Sequence, residues 1–119
     1  GLIVEVFDIP DNPLFIGAAE PTENMKDVVI AVSEVFRLSN NEIAIQGHMA
    51  TVPLAARENP VWERSTERAD TVRRLLLEND IGPDRIQRVT GFADRKPVAN
   101  DTLSIRNNRI EIILLRHRF

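Results

Sequence analysis

The order of two kinds of hydrophobic periodicity along the chain is the feature that most constrains its fold. Apolar residues recur at helical spacing in two stretches, residues 25–36 and 62–76. Short β-branched or alternating runs lie before, between and after them, at residues 2–9, 42–48, 86–93 and 110–114. The resulting order β-α-β-α-β-β contains two strand-helix-strand passages, each of which requires a crossover. We therefore predict an α/β fold, a sandwich in which a mixed four-stranded sheet carries the two helices on one face.

Capping residues place the limits of the two helices. Thr22 is suited to cap the first helix, and Glu23 lies in the first turn, where the helix dipole favours a carboxylate. We expect that helix to end near Ser39-Asn40. The second helix should begin between Pro60 and Ser65, because proline is favoured in a first helical turn. The residues that share one face of this second helix are Trp62, Ser65, Ala69, Val72 and Leu76.

Composition excludes several classes of protein. The 119 residues are enough for one domain with a real core, and 43% of them are apolar while 28% are charged, an ordinary globular balance. A net charge of −3 gives no electrostatic argument for binding nucleic acid or an anionic membrane surface. Because the chain has no cysteine, disulfides and thiolate metal sites are excluded.

The start of the chain suggests that it is a piece of a longer protein. It begins G-L-I-V-E-V, already inside a strand pattern, and no signal peptide is visible. Its apolar stretches are all shorter than the roughly 18–20 residues that a membrane span requires. We interpret residues 1–119 as a single domain, and expect any targeting or membrane segment to lie upstream.

Gly47 and His48 close the alternating run I-A-I-Q-G-H and precede an irregular segment, residues 49–60. Such loops often carry function. Neither His48 nor His117, the two histidines of the chain, forms a metal-ligand spacing with another histidine or a carboxylate pair. No G-x-S-x-G elbow is present either. We therefore expect no metal, no cofactor and no catalytic residue, and interpret His48 as a residue that orders the adjoining loop.

Arg68 differs from the other arginines of the second helix, which have compensating carboxylates nearby and are typical of a solvated face. It lies near the helix start, where a guanidinium could fork onto a bound carboxylate. Asn107 and Arg109 stand at the entry of the last strand, a position that a simple turn also explains. Trp62 is suited to packing, and alternatively to stacking on a sugar.

Four short motifs, in this order and spacing, resemble the OmpA-like peptidoglycan-binding domain. They are G-H at 47–48, W-E-x-S-x-x-R-A at 62–69, G-F-A-D at 91–94 and N-x-R-I-E-I at 107–112. The resemblance covers nearly the whole chain. Within that family it is nearest to the periplasmic domains of MotB-type flagellar stators, through the opening G-L-I-V-E-V-F-D, the run L-F-I-G-A-A-E at 14–20, the Trp62-Glu63 pair and G-F-A-D-R-K-P at 91–97.

The resemblance implies both a fold and a function. The family fold agrees with the predicted β-α-β-α-β-β order. Family members are not enzymes; they hold the peptidoglycan stem peptide, chiefly through the carboxylate and amine of its diamino acid. For the MotB subgroup the resemblance further implies a periplasmic location, an inner-membrane anchor upstream, a homodimer, and a MotA-like channel subunit as partner. The residues it assigns to a peptidoglycan site are Gly47, His48, Thr51, Asn59, Arg68, Asn107 and Arg109.

One departure from the family pattern falls in the site itself. Where the family usually reads G-H-T-D, this chain reads Gly47-His48-Met49-Ala50. The family's aspartate pairs with the ligand's ammonium, and Ala50 has no group that can do so. A charge-assisted hydrogen bond contributes roughly 1.5–3 kcal/mol, so its loss implies about ten- to a hundredfold weaker binding unless Glu58 substitutes.

Three hypotheses stay open at this point. The first is a wall-binding module of a MotB-like stator with an altered pocket. The second is a domain of the same fold that has lost peptidoglycan binding and serves in dimerisation or protein docking. The third is a wall-associated lipoprotein or outer-membrane anchor with the same fold, which the residues upstream would identify.

Overall fold

A computed structural model describes most of the chain. It describes residues 1–8, 11–17, 19–49, 61–92 and 108–116, with the backbone alone for residues 61–63. The strands are β1 (Leu2–Phe7), β2 (Phe15–Ile16), β3 (Glu20–Pro21), β4 (Ile43–His48), β5 (Ile86–Gly91) and β6 (Arg109–Leu114). The helices are α1 (Glu23–Phe36) and α2 (Val61–Glu78), and a short 3-10 helix covers Pro83–Arg85.

Four of the strands form one mixed sheet in the order β1-β6-β4-β5. Strands β4 and β5 are parallel, and β6 runs antiparallel to both β1 and β4. The parallel neighbours β4 and β5 are joined through α2, as a crossover connection requires. The predicted four-stranded mixed sheet is therefore confirmed.

Both helices cover the same face of this sheet. Alternate residues of β4 and β6, represented by Ile45 and Ile112, are fully buried in one cluster with Val29 of α1 and Leu76 of α2. Each buried aliphatic side chain of this size contributes roughly 1.5–3 kcal/mol through the hydrophobic effect. The predicted inward face of α2 is confirmed for its described members, since Ser65, Ala69, Val72 and Leu76 are all 0% exposed.

The start of α1 follows the prediction, and its end comes earlier. The hydroxyl of Thr22 accepts a hydrogen bond from the backbone N–H of Met25 at 3.3 Å, which is an N-cap. The helix ends at Phe36 rather than near Ser39-Asn40. Arg85 explains this difference, because its guanidinium donates to the carbonyl oxygens of Phe36 (2.8 Å) and Asn41 (2.7 and 3.0 Å) and so satisfies the backbone where the helix stops.

A short hairpin between β1 and α1 was not predicted. In it, β2 and β3 pair antiparallel, with Phe15 opposite Pro21 and Ile16 opposite Glu20. Leu14 and Phe15, which are 1% and 6% exposed, belong to the core cluster. The hairpin therefore closes one end of the core, beside the ends of β1 and α2.

Candidate functional site

The end of the sheet that contains Gly47 lies directly against the first turns of α2. Gly47 and Gly91 are register partners on β4 and β5. A Cβ atom at Gly47 would overlap the carbonyl oxygen of Ser65, and one at Gly91 would lie 2.6 Å from the backbone nitrogen of Thr66. The two glycines thus form a notch that seats α2, which gives Gly47 a packing role that requires no ligand.

Arg68 projects from α2 onto the hairpin and the end of β1. Its Nη2 donates a hydrogen bond to the carbonyl oxygen of Gly17 at 3.1 Å, and its Cζ lies 5.0 Å from the centre of the Phe15 ring. Its Nη1 is 4.0 Å from Oδ2 of Asp8. The side chain is 11% exposed, so the guanidinium is held in a largely desolvated place by contacts from three directions.

The electrostatics at Arg68 reflect this burial. Burial lowers the pKa of Arg68; the carboxylate of Asp8 acts against that effect, and the nearby charge of Arg64 adds to it. A guanidinium remains protonated at neutral pH even so. Arg68 is therefore a fixed positive charge at the rim of the core, with a negative charge beside it.

Asp8 is positioned by the backbone on both of its sides. Its N–H donates to the carbonyl oxygen of Asn108 at 3.0 Å, which extends the pairing of β1 with β6. Its Oδ1 accepts a hydrogen bond from the N–H of Leu14 at 2.7 Å. Only 7% of the residue is exposed. The carboxylate therefore cannot rotate away from Arg68 without breaking the bond to Leu14.

The hairpin is fastened to both helices. The hydroxyl of Thr71 on α2 donates to the carbonyl oxygen of Ala19 at 2.9 Å. The hydroxyl of Thr22 lies 2.8 Å from the carbonyl oxygen of Pro13, and the N–H of Thr22 donates to that of Leu14 at 3.0 Å. Together with the bond from Arg68 to Gly17, these contacts fix the hairpin against α2 and fix Arg68 against the hairpin.

A second group of ionisable residues lies at the same end of the sheet. Oε1 of Glu111 is 3.1 Å from Nε2 of His48 and 3.2 Å from Nε of Arg109. The His48 ring stacks on Phe92, with ring centres 5.0 Å apart and planes 10° from parallel. His48 and Arg109 are cross-strand partners and are 3% and 8% exposed. We name His48, Phe92, Arg109 and Glu111 the histidine cluster.

The histidine cluster and Arg68 lie on opposite faces of the sheet. Side chains alternate along a strand, so His48 points away from the face on which Gly47 meets α2. Asp8 is in alternation with Val4 and Val6, which pack on the core, and so lies on the helix side with Arg68. The sheet end thus has two charged groups with the backbone between them.

The described residues among those predicted for the site lie on both faces of the sheet. The structure brings His48 together with Arg109, and places Arg68 and the notch glycine Gly47 on the other side. Met49, the residue after His48, is buried at 4% exposure. Thr51, Asn59 and Asn107 lie outside the described residues, as do Ala50, Glu58, His117 and the side chain of Trp62. The binding roles of the seven residues stay predictions.

Two carboxylates at this end of the sheet were not singled out from the sequence. Asp8 looked like the polar end of a strand, and Glu111 looked like the outward residue of an alternating run. Each lies within 4.0 Å of a candidate arginine, Asp8 near Arg68 and Glu111 near Arg109. Recognising that requires the strand register, which the sequence does not provide.

Two features, a metal-binding cluster and a membrane-spanning helix, are absent from the described residues. Within them, no group of three or more histidine, cysteine or carboxylate side chains is arranged to hold a metal ion. In the same part of the chain, neither helix is both long and apolar enough to cross a membrane.

The described residues therefore define an α/β domain whose mixed sheet carries both helices on one face and has two groups of buried ionisable residues at one end. The chain belongs to the OmpA family, whose model matches residues 17–111.

One sequence relative and two solved structures are similar to this chain over most of its length. The chain is 31% identical over 124 residues to Motility protein B of Escherichia coli, and the match covers 97% of this chain and 39% of that protein. A MotB-like protein from Desulfovibrio vulgaris has a similar structure, with a TM-score of 0.73, 28% identity, and coverage of 99% of this chain and 81% of the other. The cell wall anchor of the type VI secretion system from Pseudomonas aeruginosa also has a similar structure, with a TM-score of 0.73 and 25% sequence identity. That match covers 92% of this chain and 78% of the other. The chain thus spans about two fifths of the length of its curated relative.

Proposed function

We propose that this chain is a non-catalytic peptidoglycan-binding domain that anchors a MotB-like flagellar stator to the cell wall. The proposal depends mainly on the position of Arg68. Its guanidinium is held at the rim of the core by the carbonyl oxygen of Gly17 and the ring of Phe15. Such a preorganised, desolvated guanidinium is suited to a carboxylate, which it can receive with two parallel N–H donors. The diamino acid of a stem peptide offers such a carboxylate.

The relatives support this assignment from another direction. The family is the OmpA family, one relative is a motility protein, and one structurally similar protein is a cell wall anchor. No name among these proteins is that of an enzyme. For the whole protein, we extend the proposal to a periplasmic location, an inner-membrane anchor upstream, a homodimer and a MotA-like channel subunit.

The pocket in this proposal is an altered one. Met49 is buried and apolar at the place where the related domains usually have threonine, and Ala50 follows where they have aspartate. Position 50 lies outside the described residues, and alanine has no polar side-chain group that could bind an ammonium. Weak binding by one domain can still be effective in a dimer, because the second contact is made at a high effective concentration.

One observation favours a second function, an OmpA-like domain without peptidoglycan binding that serves in dimerisation or docking. Arg68 already donates to Gly17, stacks on Phe15 and lies beside Asp8, so it ties α2 to the hairpin and to β1. A residue with this structural task would be retained even after a ligand had been lost.

Sedimentation with purified sacculi distinguishes the two functions. Wild type should sediment with sacculi, while Arg68→Ala should remain in the supernatant. Arg68→Lys keeps the charge but not the fork, and should show intermediate binding. Arg74→Ala is the matched control, since Arg74 is on the same helix and binds Asp70 at the exposed surface.

Folding must be verified for every variant by its denaturant midpoint, because Arg68 also supports the hairpin. Equal sedimentation of wild type and a folded Arg68→Ala variant would show that the carboxylate clamp is wrong. Failure of wild type itself to sediment would favour the docking function.

A further inference from the structure

We propose that the outer edge of β1 is a self-association surface, where β1 pairs antiparallel with β1 of a second copy of this chain around a two-fold axis at Val4. The proposed function includes a homodimer without assigning it an interface. The inference supplies that interface, and it rests on this part of the proposed function alone.

Strand β1 lies at one edge of the four-stranded sheet and is exposed there. The strand order β1-β6-β4-β5 leaves β1 and β5 as the two edges of the sheet within the described part of the chain. On β1, Leu2 and Ile3 are 50% and 53% exposed. The outer edge of such a strand carries N–H and C=O groups that can pair with another strand.

The other edge, β5, has features that protect it, and β1 lacks them. Strand β5 exposes Gln87 and Arg88, and its pairing with β4 is irregular between Ile43 and Ala44. Charged side chains and irregular pairing both discourage the addition of a further strand. Strand β1 reads L-I-V-E-V-F, without proline, glycine or lysine, and keeps one register with β6 along its whole length. The edge that is suited to a partner is therefore that of β1.

The pairing of β1 with β6 determines which backbone groups of β1 point outward. The N–H of Asp8 donates to the carbonyl oxygen of Asn108 at 3.0 Å, in the same register that joins the two strands. Because hydrogen-bonded residues alternate along an antiparallel pair, the even-numbered residues of β1 direct their backbone groups to β6. The strand residues that direct theirs to the outer edge are Ile3, Glu5 and Phe7.

These directions leave few registers for a pairing of β1 with itself. Odd-numbered residues must lie opposite one another, and a register centred on Glu5 would place two carboxylates together, which is destabilising. A register centred on Ile3 would pair residues 1–5 alone. The register centred on Val4 pairs residues 1–7 of both copies and places Ile3 opposite Glu5 of the second copy.

The same register brings apolar side chains together on the helix side of the sheet. Val4 and Val6 pack against the core cluster, and Leu2 shares their face because side chains alternate along a strand. Leu2 would lie opposite Val6 of the second copy, and Val4 opposite its own counterpart. The exposed side chain of Leu2 would thus be covered where the two cores adjoin, so apolar burial and backbone pairing favour the same arrangement.

The interface is a small one. A single pair of short strands buries less than the roughly 1,600 Å² of a standard interface, so we expect the isolated chain to associate weakly. In a full-length protein, a shared membrane anchor would hold two copies at a high effective concentration. The decisive measurement is therefore which residues meet, rather than how tightly the copies bind.

Single cysteines measure this directly, because the chain has none of its own. In the proposed register the two Cα atoms at position 4 are about 4.5 Å apart, within the roughly 4.4–6.8 Å that a disulfide spans. Val4→Cys should therefore form a covalent dimer under oxidised glutathione. Leu2→Cys and Val6→Cys are the matched controls on the same face, where identical residues lie roughly 13 Å apart along the strands. They should crosslink at least about tenfold more slowly.

A pair of charge variants tests the register independently. In the Val4→Cys background, Ile3→Lys would face Glu5 of the second copy with the opposite charge, and Ile3→Glu would face it with the same charge. The lysine variant should crosslink about tenfold faster at low salt, and the difference should shrink in high salt. Both changes are made at an exposed position, and urea midpoints verify that every variant is folded.

Crosslinking that is equal at positions 2, 4 and 6, or fastest at position 2 or 6, would overturn the inference. So would the absence of crosslinking in a folded Val4→Cys variant, or equal rates for the two charge variants. None of these results would affect the sedimentation of wild type with sacculi. Conversely, failure of wild type to sediment would overturn peptidoglycan binding and leave the β1 interface in place.

Discussion

Gly47 and Gly91 are paired across two parallel strands and together receive the N-terminal turns of α2. A side chain on either would meet Ser65 or Thr66, including backbone atoms that cannot move without displacing the helix. The relationship connects the strand ends to the position of Arg68, one turn further along the same helix. The close packing of the α2 backbone on the two glycines therefore determines the position of Arg68, the residue that is a candidate to bind a ligand carboxylate.

Gly47→Ala should destabilise the domain and weaken sacculus binding together. The added methyl group overlaps the Ser65 carbonyl oxygen, and overpacking of this kind costs about 1–3 kcal/mol. Urea denaturation measures the first effect and sedimentation the second. Gly82→Ala is the control, because its new methyl group would meet only the end of the Asp84 side chain, at 2.7 Å, and stability should be unchanged or slightly higher. Equal midpoints for the two variants would contradict the notch.

Arg85→Ala should destabilise the fold without changing ligand affinity. Its guanidinium donates to the carbonyl oxygens of Phe36 and Asn41, so its loss removes these charged donors from the end of α1 and from the following turn. Hydrogen bonds from a charged group contribute about 1.5–3 kcal/mol in total for such a contact. The free energy of unfolding should fall by about this amount in urea, with an unchanged m-value.

Arg88→Ala provides the comparison for Arg85. Arg88 is also an arginine of this region, but it is exposed on β5 and contacts only its neighbour Gln87, at 3.3 Å, among the described hydrogen bonds. Its removal should alter stability by less than about 0.5 kcal/mol. A comparable loss in both variants would show that Arg85 acts through net charge rather than through its fork.

Much of the fold was predictable because it depends on local patterns. The alternation at Ile43, Ile45 and Gly47 identifies the inward face of β4, and the spacing of Ala69, Val72 and Leu76 identifies that of α2. Thr22 caps α1 as its chemistry suggests. Each of these features is decided by residues a few positions apart, where side-chain direction follows directly from the period of the element.

The remainder depends on contacts between distant segments. Arg85 limits α1 from beyond α2. The hairpin contacts both members of the Asp8–Arg68 pair, Asp8 through the N–H of Leu14 and Arg68 through the ring of Phe15. The strand order β1-β6-β4-β5 has the same origin. The hydrophobic periodicity of the sequence does not predict which strands become neighbours in the sheet. The resemblance assigns His48 and Arg68 to one site, which stays a prediction, and the register shows that their side chains lie on opposite faces of the sheet.

Asp70→Asn should reduce stability at neutral pH and have no effect in acid. The hydrogen bond from Arg73 at 2.7 Å is the main cause that lowers the pKa of Asp70; desolvation opposes it, and Arg74 assists. A carboxyl group whose pKa is lowered in the folded state stabilises the fold above its ordinary value of 3.8, and that stability is lost as the pH falls through the lowered pKa. Because the pair is partly exposed, the difference should be about 0.3–1 kcal/mol.

Thermal denaturation of both proteins between pH 2 and pH 7 measures this effect. The wild-type and Asp70→Asn curves should converge in acid and should approach each other in high salt. Glu78→Gln removes the same charge from the C-terminal end of α2, where the helix dipole disfavours a carboxylate, and should cause no loss. A difference between wild type and Asp70→Asn that persists below the lowered pKa would exclude the ion pair as its cause.

Glu111→Gln should destabilise the domain more than the same change at Glu5, its register partner on β1. Glu111 lies between His48 and Arg109, which are almost entirely buried, and a buried group that loses its partner costs about 1–3 kcal/mol, with more expected for charged groups. Glu5 is exposed and lies directly opposite a like charge, so Glu5→Gln should be neutral or slightly stabilising. Urea midpoints compare the two variants at equal net charge. Because the histidine cluster lies on the face away from Arg68, a folded Glu111→Gln variant should also sediment with sacculi as wild type does, whereas a loss of sedimentation would place the cluster in the ligand site.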